Sequence, residues 1–333
     1  MPKFSFIVPV YNRRQEVKDL LESLLLQTDK DFEVVIVEDG STDRCAPECD
    51  EARGKGLDVK YYHKENEGRS IARNVGMEHA AGDYFIFVDS DCVIPPEYVA
   101  TVKRHLEQQP LDCYGGPDAA HETFTDVQKA INFAMTSFLT TGGIRGGKKS
   151  LEKFTPRTFN MGFTRNVYEK TGGFREMFSE DIDMSKRIEQ NGFNVGLIPE
   201  AKVWHKRRVD FKKFFRQVHV FGMSRITLKI LYPGSLKLVH TLPAIAVIMA
   251  IGVVAAGIFL SPWWFILPAI YMLAIFMLAF GSTGSVKVAF LAVPASVIQI
   301  FGYGTGFLKA WFGKIVLGRG RNIEQEILMR KGK

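Results

Sequence analysis

One stretch near the carboxyl-terminal end limits the possible folds more than any other. Residues 242–260 and 262–280 contain no charged side chain, and only Ser261 separates them. As a helix, each segment would be about 28 Å long, which is close to the hydrocarbon thickness of a bilayer. A buried soluble core rarely contains uncharged helices of that length. The pattern therefore predicts two membrane helices joined as a hairpin.

A third apolar segment, residues 288–308, is also long enough to cross a bilayer, although it contains Pro294 and Gln299. We therefore predict a membrane domain over residues 239–312 and a basic tail over residues 313–333. Two crossings would return the chain to its starting side, so a third would carry the basic tail across, against the positive-inside tendency. The third segment is either a crossing or a re-entrant helix, and the side of the tail stays open.

Positive charge is concentrated just before the membrane domain. The formal net charge is +7, and between residues 202 and 237 Asp210 is the only acid among ten Lys and Arg residues. Because this stretch leads into apolar segments, a membrane surface is the expected partner and nucleic acid is not. Apolar residues at helical spacing predict an interfacial helix within residues 206–238, with a basic helix packed on the amino-terminal domain as the alternative. These apolar residues are Phe211, Phe214, Phe215 and Val218.

The amino-terminal half alternates strands with helices. Apolar runs rich in β-branched and aromatic residues predict strands at residues 4–10, 32–37, 59–62 and 84–88, with helical patterns between them. This alternation is typical of an α/β fold with a parallel, doubly wound sheet, in which ligands bind beyond the carboxyl ends of the strands. Neither GxGxxG nor GxxxxGKS/T occurs, which argues against dinucleotide oxidoreductases and P-loop enzymes.

The four cysteines form neither a disulfide framework nor a paired CxxC zinc pattern. The first residues resemble a strand more than the apolar core of a secretory signal. We therefore expect reduced thiols and a domain on the cytoplasmic side of the membrane.

Polar residues follow three of the predicted strands, namely Tyr11, Asp39 and the run Asp89-Ser90-Asp91. Two carboxylates at the edge of an apolar core are costly unless a cation or hydrogen bonds compensate them. Oxygen ligands suit Mg2+ or Mn2+, ions that are commonly shared with substrate phosphates. An Asx turn is the alternative for the third set alone. Three polar strand ends at one crevice favour a metal and phosphate site.

Charged residues in two predicted helices, and one histidine, are further candidates. Arg69 and Arg73 are suited to a phosphate, although taken alone their helix would be read as solvated. Glu180 and Asp181 open another helix, either as charges that favour the helix dipole or as a catalytic base. His205 follows a short strand and is either a structural histidine or a metal ligand.

Five short segments occur in a fixed order along residues 1–205. They are SFIVPVYN at 5–12, VEDGSTD at 37–43, NEGRSIARN at 66–74, DSD at 89–91 and SED at 179–181. Together they resemble the family 2 glycosyltransferases. The resemblance implies a GT-A fold, Rossmann-like with a mostly parallel sheet, over residues 1–205. It also implies an enzyme that transfers a sugar from a nucleotide-activated donor with inversion.

By position, the resemblance implies three groups of site residues. The donor would contact Pro9, Tyr11, Asn12, Asp39, Arg69, Arg73, Asp89, Ser90 and Gly162, with Asp39 near uracil if the nucleotide is uridine. A Mn2+ or Mg2+ ion would be held by Asp91, Asp89 and His205. Asp181 would be the general base, and Glu180 would position the acceptor or a loop. Family members usually have two aspartates at positions 38 and 39, and this chain has Glu38 at the first. The change should be tolerated, because Asp39 would supply the contact with the base of the nucleotide.

The implied enzyme moves one sugar, with a UDP-sugar as the expected donor, to a lipid-linked or membrane-proximal glycan. The QxxRW motif of processive members is absent at Gln217, and three membrane segments are few for a polymer channel. A polyprenyl-phosphate sugar synthase is the alternative, and its anionic acceptor would depend less on Asp181. A non-catalytic membrane scaffold is disfavoured because the acids and His205 are intact.

We expect a multi-pass membrane protein with its first domain in the cytoplasm. The expected location is the plasma membrane, which is the inner membrane in a cell that has two membranes. The Gly- and Lys-rich loop at residues 141–150 is either a lid or acceptor contact or a plain linker.

Overall fold

A computed structural model describes residues 3–119, 124–142, 154–205 and 210–323, together with residues 325 and 327. Within these ranges the chain forms two compact units. The first unit contains residues 3–119 and 154–205, and the second contains residues 124–142 and 210–323. The predicted lid and the end of the basic tail lie largely outside the described residues.

The first unit is built on a seven-stranded sheet with the order β3-β2-β1-β4-β8-β6-β9 and a three-stranded sheet with the order β5-β10-β7. In the larger sheet β8 is antiparallel to both of its neighbours, and the other pairs are parallel. The predicted α/β fold with a mostly parallel sheet is confirmed. The strands are β1 Phe4–Val10, β2 Phe32–Asp39, β3 Val59–Lys64, β4 Tyr84–Phe87, β5 Cys92–Val93, β6 Cys113–Gly115, β7 Asp118–Ala119, β8 Met161–Thr164, β9 Val195–Leu197 and β10 Val203–His205.

Helices cover both faces of the larger sheet. In the first unit they are α1 Arg14–Leu25, α2 Ala46–Gly54, α3 Arg69–His79, α4 Tyr98–Gln108, α7 Arg165–Thr171 and α8 Glu180–Gln190. Successive strand residues face opposite sides, so Phe6 and Val8 join one apolar cluster while Ile7 joins another. Burial on both faces explains why these strands read as continuous apolar runs. The same burial leaves the strand ends as the place where polar side chains can lie.

The smaller sheet was not predicted, and it has a direct consequence for the site. Strand β10 pairs antiparallel with β5, so that His205 lies opposite Cys92. The hydrogen bonds of this pair bring a residue from the end of the unit to the segment that follows β4. A histidine more than a hundred residues away in sequence is thereby held beside Asp91.

The second unit is helical. Its helices are α5 Asp126–Thr136, α6 Phe138–Thr141, α9 Phe211–Leu231, α10 Leu238–Phe259, α11 Ile266–Thr283 and α12 Val286–Ala310, with a 3-10 turn at Pro262–Phe265 and a π turn at Trp311–Val316. Three helices are long and apolar enough to cross a membrane by length and composition, at Leu238–Phe259, Pro262–Thr283 and Val286–Val316. The helix of the third segment continues through Pro294 without a break.

Candidate active site

Asn12 links the loops that follow β1 and β2. Its backbone has φ +50°, in the left-handed region, and its Oδ1 atom accepts from the backbone N–H of Thr42 at 2.9 Å. Its own N–H donates to Ser41 Oγ at 2.9 Å. Asn12 does not cap the next helix, because α1 begins at Arg14 and the Asn12 side chain points to the β2 loop. Beside it, Tyr11 is 53% exposed at the end of β1.

Asp39 ends β2 and is buried. Its two oxygens accept from the backbone N–H groups of Glu67 and Gly68, at 2.9 and 2.8 Å, and from Lys64 Nζ at 2.9 Å. Asp39 therefore fixes the loop that leads into α3. A carboxylate offers about four acceptor positions, so one remains for a ligand. Pro9 lies two residues before Tyr11, in register with Val37 of β2.

Asp91, Asp89 and His205 converge at the carboxyl end of β4. The His205 Nε2 atom lies 3.2 Å from Asp91 Oδ1 and 4.0 Å from Asp89 Oδ2. The imidazole is stacked on Phe159, with ring centroids 5.1 Å apart. Ser90, between the two acids, is buried. The sequence therefore named three residues that the fold does bring together.

Oxygen and imidazole donors at these positions fit Mn2+ or Mg2+. Cys92 also lies within 4.8 Å of the Asp91 and His205 ligand atoms. Burial raises the pKa of the Cys92 thiol well above its ordinary value, and the thiol donates to the Phe159 carbonyl oxygen at 3.6 Å. Hard divalent ions prefer oxygen and imidazole donors to sulfur, so Asp89, Asp91 and His205 are the residues that could hold such an ion.

Arg73 connects the two acidic segments of the site. It is 1% exposed, and it donates through Nη2 to Asp89 Oδ1 and through Nη1 to Glu180 Oε1, both at 2.8 Å. Arg69 binds the same Glu180 carboxylate, at 2.7 Å from Nε and 2.8 Å from Nη2. Both forks of Arg73 are thus held by carboxylates, and its predicted phosphate contact stays a prediction. Its geometry is that of a positioning residue.

Arg69 is the more accessible of the two, with a side chain 57% exposed. Burial alone would lower the pKa of Arg69, but the negative charges of Glu180, Asp89 and Asp181 raise it above its ordinary value. The guanidinium is therefore a permanent positive charge among the acids of the site.

Glu180 and Asp181 are neighbours with different surroundings. Glu180 is buried under the two arginines. The Asp181 side chain remains 18% exposed, accepting from the Ile182 N–H at 2.8 Å and lying 3.4 Å from Arg157 Nη1. Asp181 is thus the acid of the pair that an acceptor can approach.

Arg157 was missed by the sequence reasoning. It stands two residues before Phe159, whose ring supports His205. The same short segment therefore contacts the proposed base on one side and the proposed metal ligand on the other. No spacing rule connects an arginine to an acid 24 residues later, so no signal in the sequence could have identified it.

Gly162 lies in β8, in register with Ile86 on one side and Tyr114 on the other. A Cβ atom there would lie 2.3 Å from a ring carbon of Tyr114 and 2.9 Å from a ring carbon of Tyr84. The glycine is required by the close approach of these rings. The added Cβ would face the aromatic core, and the donor contact predicted at Gly162 stays a prediction.

Gly162→Ala is expected to destabilise the first unit by about 1–3 kcal/mol, since the rings must move to accommodate the methyl group. The midpoint of urea unfolding, followed by pulse proteolysis of the full chain, measures this change. Gly54→Ala is the matched control, because nothing lies within 4 Å of a Cβ at that position. Equal midpoints for the two variants would contradict the steric explanation.

Comparison with known proteins bears on this geometry. The family described as Glycosyl transferase family 2 matches residues 5–172, half of the chain. A glycosyltransferase of Rickettsia felis, described as uncharacterized, is 40% identical over 106 residues, which make up 32% of this chain and 17% of that protein. The uncharacterized glycosyltransferase EpsJ of Bacillus subtilis is 27% identical over 206 residues, 61% of this chain and 58% of that protein. The chain thus spans less than two thirds of the length of these relatives.

Two solved structures share the fold at low identity. The mannosyltransferase PcManGT from Pyrobaculum calidifontis has a TM-score of 0.57 and 18% identity, over 95% of this chain and 87% of that one. Residues 1–349 of S. aureus TarS, in complex with UDP-GlcNAc, have a TM-score of 0.50 and 20% identity, over 93% and 92%. The predicted GT-A fold is confirmed. The polar residues lie at the strand ends where the motifs predicted them, and the family model matches half of the chain. This chain therefore belongs to glycosyl transferase family 2.

Proposed function

We propose that this protein is an inverting, metal-dependent glycosyltransferase that moves one sugar from a nucleotide-sugar to a lipid-linked or membrane-proximal glycan. The observation that carries the proposal is the convergence of Asp91 and His205, 3.2 Å apart, beside Asp89 at the carboxyl end of β4. Family membership supports sugar transfer, and this cluster supports a donor that carries a diphosphate.

The proposed metal site uses Asp91 as its main ligand, with Asp89 and His205 completing the donor set. Mn2+ or Mg2+ bound there would compensate the negative charge of the diphosphate leaving group. The Pyrobaculum enzyme is described in complex with GDP-Man and Mn2+, which supports a divalent ion in this fold. A uridine nucleotide is our choice of donor, since Asp39 retains an acceptor position for the uracil N–H, and TarS is described with UDP-GlcNAc.

The proposed base is Asp181. It would take the proton of an attacking hydroxyl group while Arg157, 3.4 Å from its carboxylate, holds its orientation. Glu180 is saturated by two arginines and does not offer a second nucleophilic carboxylate. One accessible carboxylate supports a single in-line displacement and therefore inversion, by analogy with the single and double displacements of glycosidases.

The apolar helices of the second unit support a membrane location. We propose that the enzyme resides in the plasma membrane with its first unit in the cytoplasm, where nucleotide sugars are available. An acceptor attached to a membrane lipid would then reach the site by lateral diffusion. The alternative acceptor, a polyprenyl phosphate, would also lie in the membrane. The two acceptors differ in how strongly the transfer rate would depend on Asp181.

Asp91→Asn is expected to reduce metal-dependent turnover by at least about 100-fold, because a ligand charge is lost at the diphosphate. The measurement is release of nucleoside diphosphate by the purified full chain from a panel of UDP- and GDP-sugars, with Mn2+ or with EDTA. Asp43→Asn is the control, since Asp43 is an exposed acid at the same edge, paired with Arg14 at 3.6 Å. If Asp91→Asn turns over the donor at the parent rate, and does so in EDTA as well as in Mn2+, the proposed metal site is contradicted.

A further inference from the structure

Helix α9 lies in close contact with the second half of α12. A Cβ atom on Gly306 would lie 2.0 Å from the His219 carbonyl oxygen. Further along, Lys314 Nζ donates to Thr227 Oγ1. Because residue numbers rise together in the two pairs, α9 and α12 run in the same direction. Wherever this part of α12 lies relative to a membrane, α9 lies there too.

Helix α5 covers the first half of α12. Asp126, at its start, pairs with Lys287 at 2.8 Å. One apolar cluster joins the two helices and also includes Phe214 and Val218 of α9. Its α5 and α12 members are Ala130, Ile131, Ala134, Met135, Val288, Ala289, Ala292 and Ala295. The same cluster includes Ile275 and Ala279 from the end of α11, and a second cluster joins Ala244, near the start of α10, to Phe307 and Ala310. The apolar surface of α12 is therefore covered by the charged helices α5 and α9 and by one end of the α10–α11 hairpin.

The exposure of large apolar side chains separates α12 from the other two long helices. Along α10, the 3-10 turn and α11, such side chains are exposed at frequent intervals, for example Ile251 at 65% and Leu273 at 62%. Between Phe290 and Trp311, a range described throughout, the large apolar side chains of α12 are buried or only partly exposed. A helix that contacts lipid presents apolar side chains to it. Only α10 and α11 meet that condition along their length.

The charges on α9 point the same way. Lys212, Lys213 and Arg216 are exposed, and Val218, two residues later, packs against Gly302 inside the predicted third segment. If α12 crossed the bilayer, α9 would enter the hydrocarbon with it, and these cations would face acyl chains. Lipid-facing charges of that kind are costly and rare in membrane proteins. At the membrane surface the same cations would face anionic headgroups favourably.

We propose that α5, α9 and α12 form a helical layer on the surface of an anionic phospholipid bilayer, and that only the α10–α11 hairpin enters the hydrocarbon. Both ends of α12 then lie on one side of the membrane. The basic residues after α12 stay on the side where α9 begins, in agreement with the positive-inside tendency. The sequence alone led us to expect three membrane segments, and the packing reduces them to two.

Side-specific labelling of single cysteines in the full chain tests this topology. Lys287→Cys places a thiol at the start of α12 and Arg319→Cys places one just after the π turn that follows α12, and both positions are exposed. A membrane-impermeant maleimide is applied to intact cells and to inverted membrane vesicles. We expect the reagent to label both thiols in inverted vesicles, where it reaches the cytoplasmic face, and neither thiol in intact cells, where it reaches the outer face. Labelling of the two positions from opposite faces would overturn the proposal.

Control variants test whether the labelling pattern reports topology and does not depend on one pair of substitutions. The unsubstituted chain gives the background, because its four cysteines are buried. Trp263→Cys, in the exposed turn between α10 and α11, is expected to be labelled from the outer face; labelling from the cytoplasmic face would contradict the hairpin. If Lys287→Cys or Arg319→Cys fails to accumulate, Val286→Cys and Leu317→Cys, also exposed, answer the same question.

Discussion

Asp181→Asn is expected to lower the rate of sugar transfer to an alcohol acceptor by about 10²–10⁴-fold, the range that a positioned general base contributes. The amide has nearly the same shape but cannot take the proton of the attacking hydroxyl. Donor affinity should be unchanged, because Asp181 contacts Arg157 and the Ile182 N–H and lies outside the Asp91–His205 cluster. Transfer rates of the purified full chain and titration calorimetry with the nucleoside diphosphate measure the two effects separately.

Two comparisons make this result interpretable. Glu189→Gln changes an acid on the same helix, in a partly exposed pair with Lys186, and should leave the rate within about 2-fold of the parent. A polyprenyl phosphate acceptor carries its own negative charge and needs no deprotonation. If Asp181→Asn retains full activity on that acceptor and the parent chain is inactive on alcohols, the synthase alternative replaces our proposal.

Arg73→Met is expected to reduce the free energy of unfolding of the first unit by about 3–5 kcal/mol, as when one partner of a buried ion pair is removed. Methionine fills much of the volume but leaves Glu180, itself buried, with Arg69 as its remaining charged partner. The link from Glu180 to Asp89 is lost as well. Urea-dependent pulse proteolysis of the full chain measures the change.

Lys55→Met is the control for this experiment. Lys55 pairs with Glu51 on the surface beside α2, with side chains 50% and 52% exposed, and such pairs contribute little to the free energy of unfolding. If the two variants unfold at the same urea concentration, the buried network does not stabilise the unit. A double variant, Arg73→Met with Glu180→Gln, should recover part of the loss because the unpaired buried charge is gone.

Local patterns determined the architecture of this protein. Apolar runs with turn residues between them identified the strands from Phe4 to Phe87, because strands buried on both faces are made mostly of apolar residues. The same logic located the polar residues of the site, since in such a sheet the carboxyl ends of the strands form the crevice where ligands bind. Asp39, Asp89 and Asp91 were found in this way, and uncharged length identified the three long apolar helices of the second unit.

Tertiary structure decided what each polar residue does. Arg69 and Arg73 look alike in the sequence, yet one is exposed and the other is buried between two carboxylates. The physical reason is distance: contacts between residues far apart in the chain follow from strand order and helix packing, which no local pattern encodes. Pairing of β10 with β5 brought His205 to Asp91, and packing of α9 and α5 on α12 is the contact on which the proposed surface location of α12 rests.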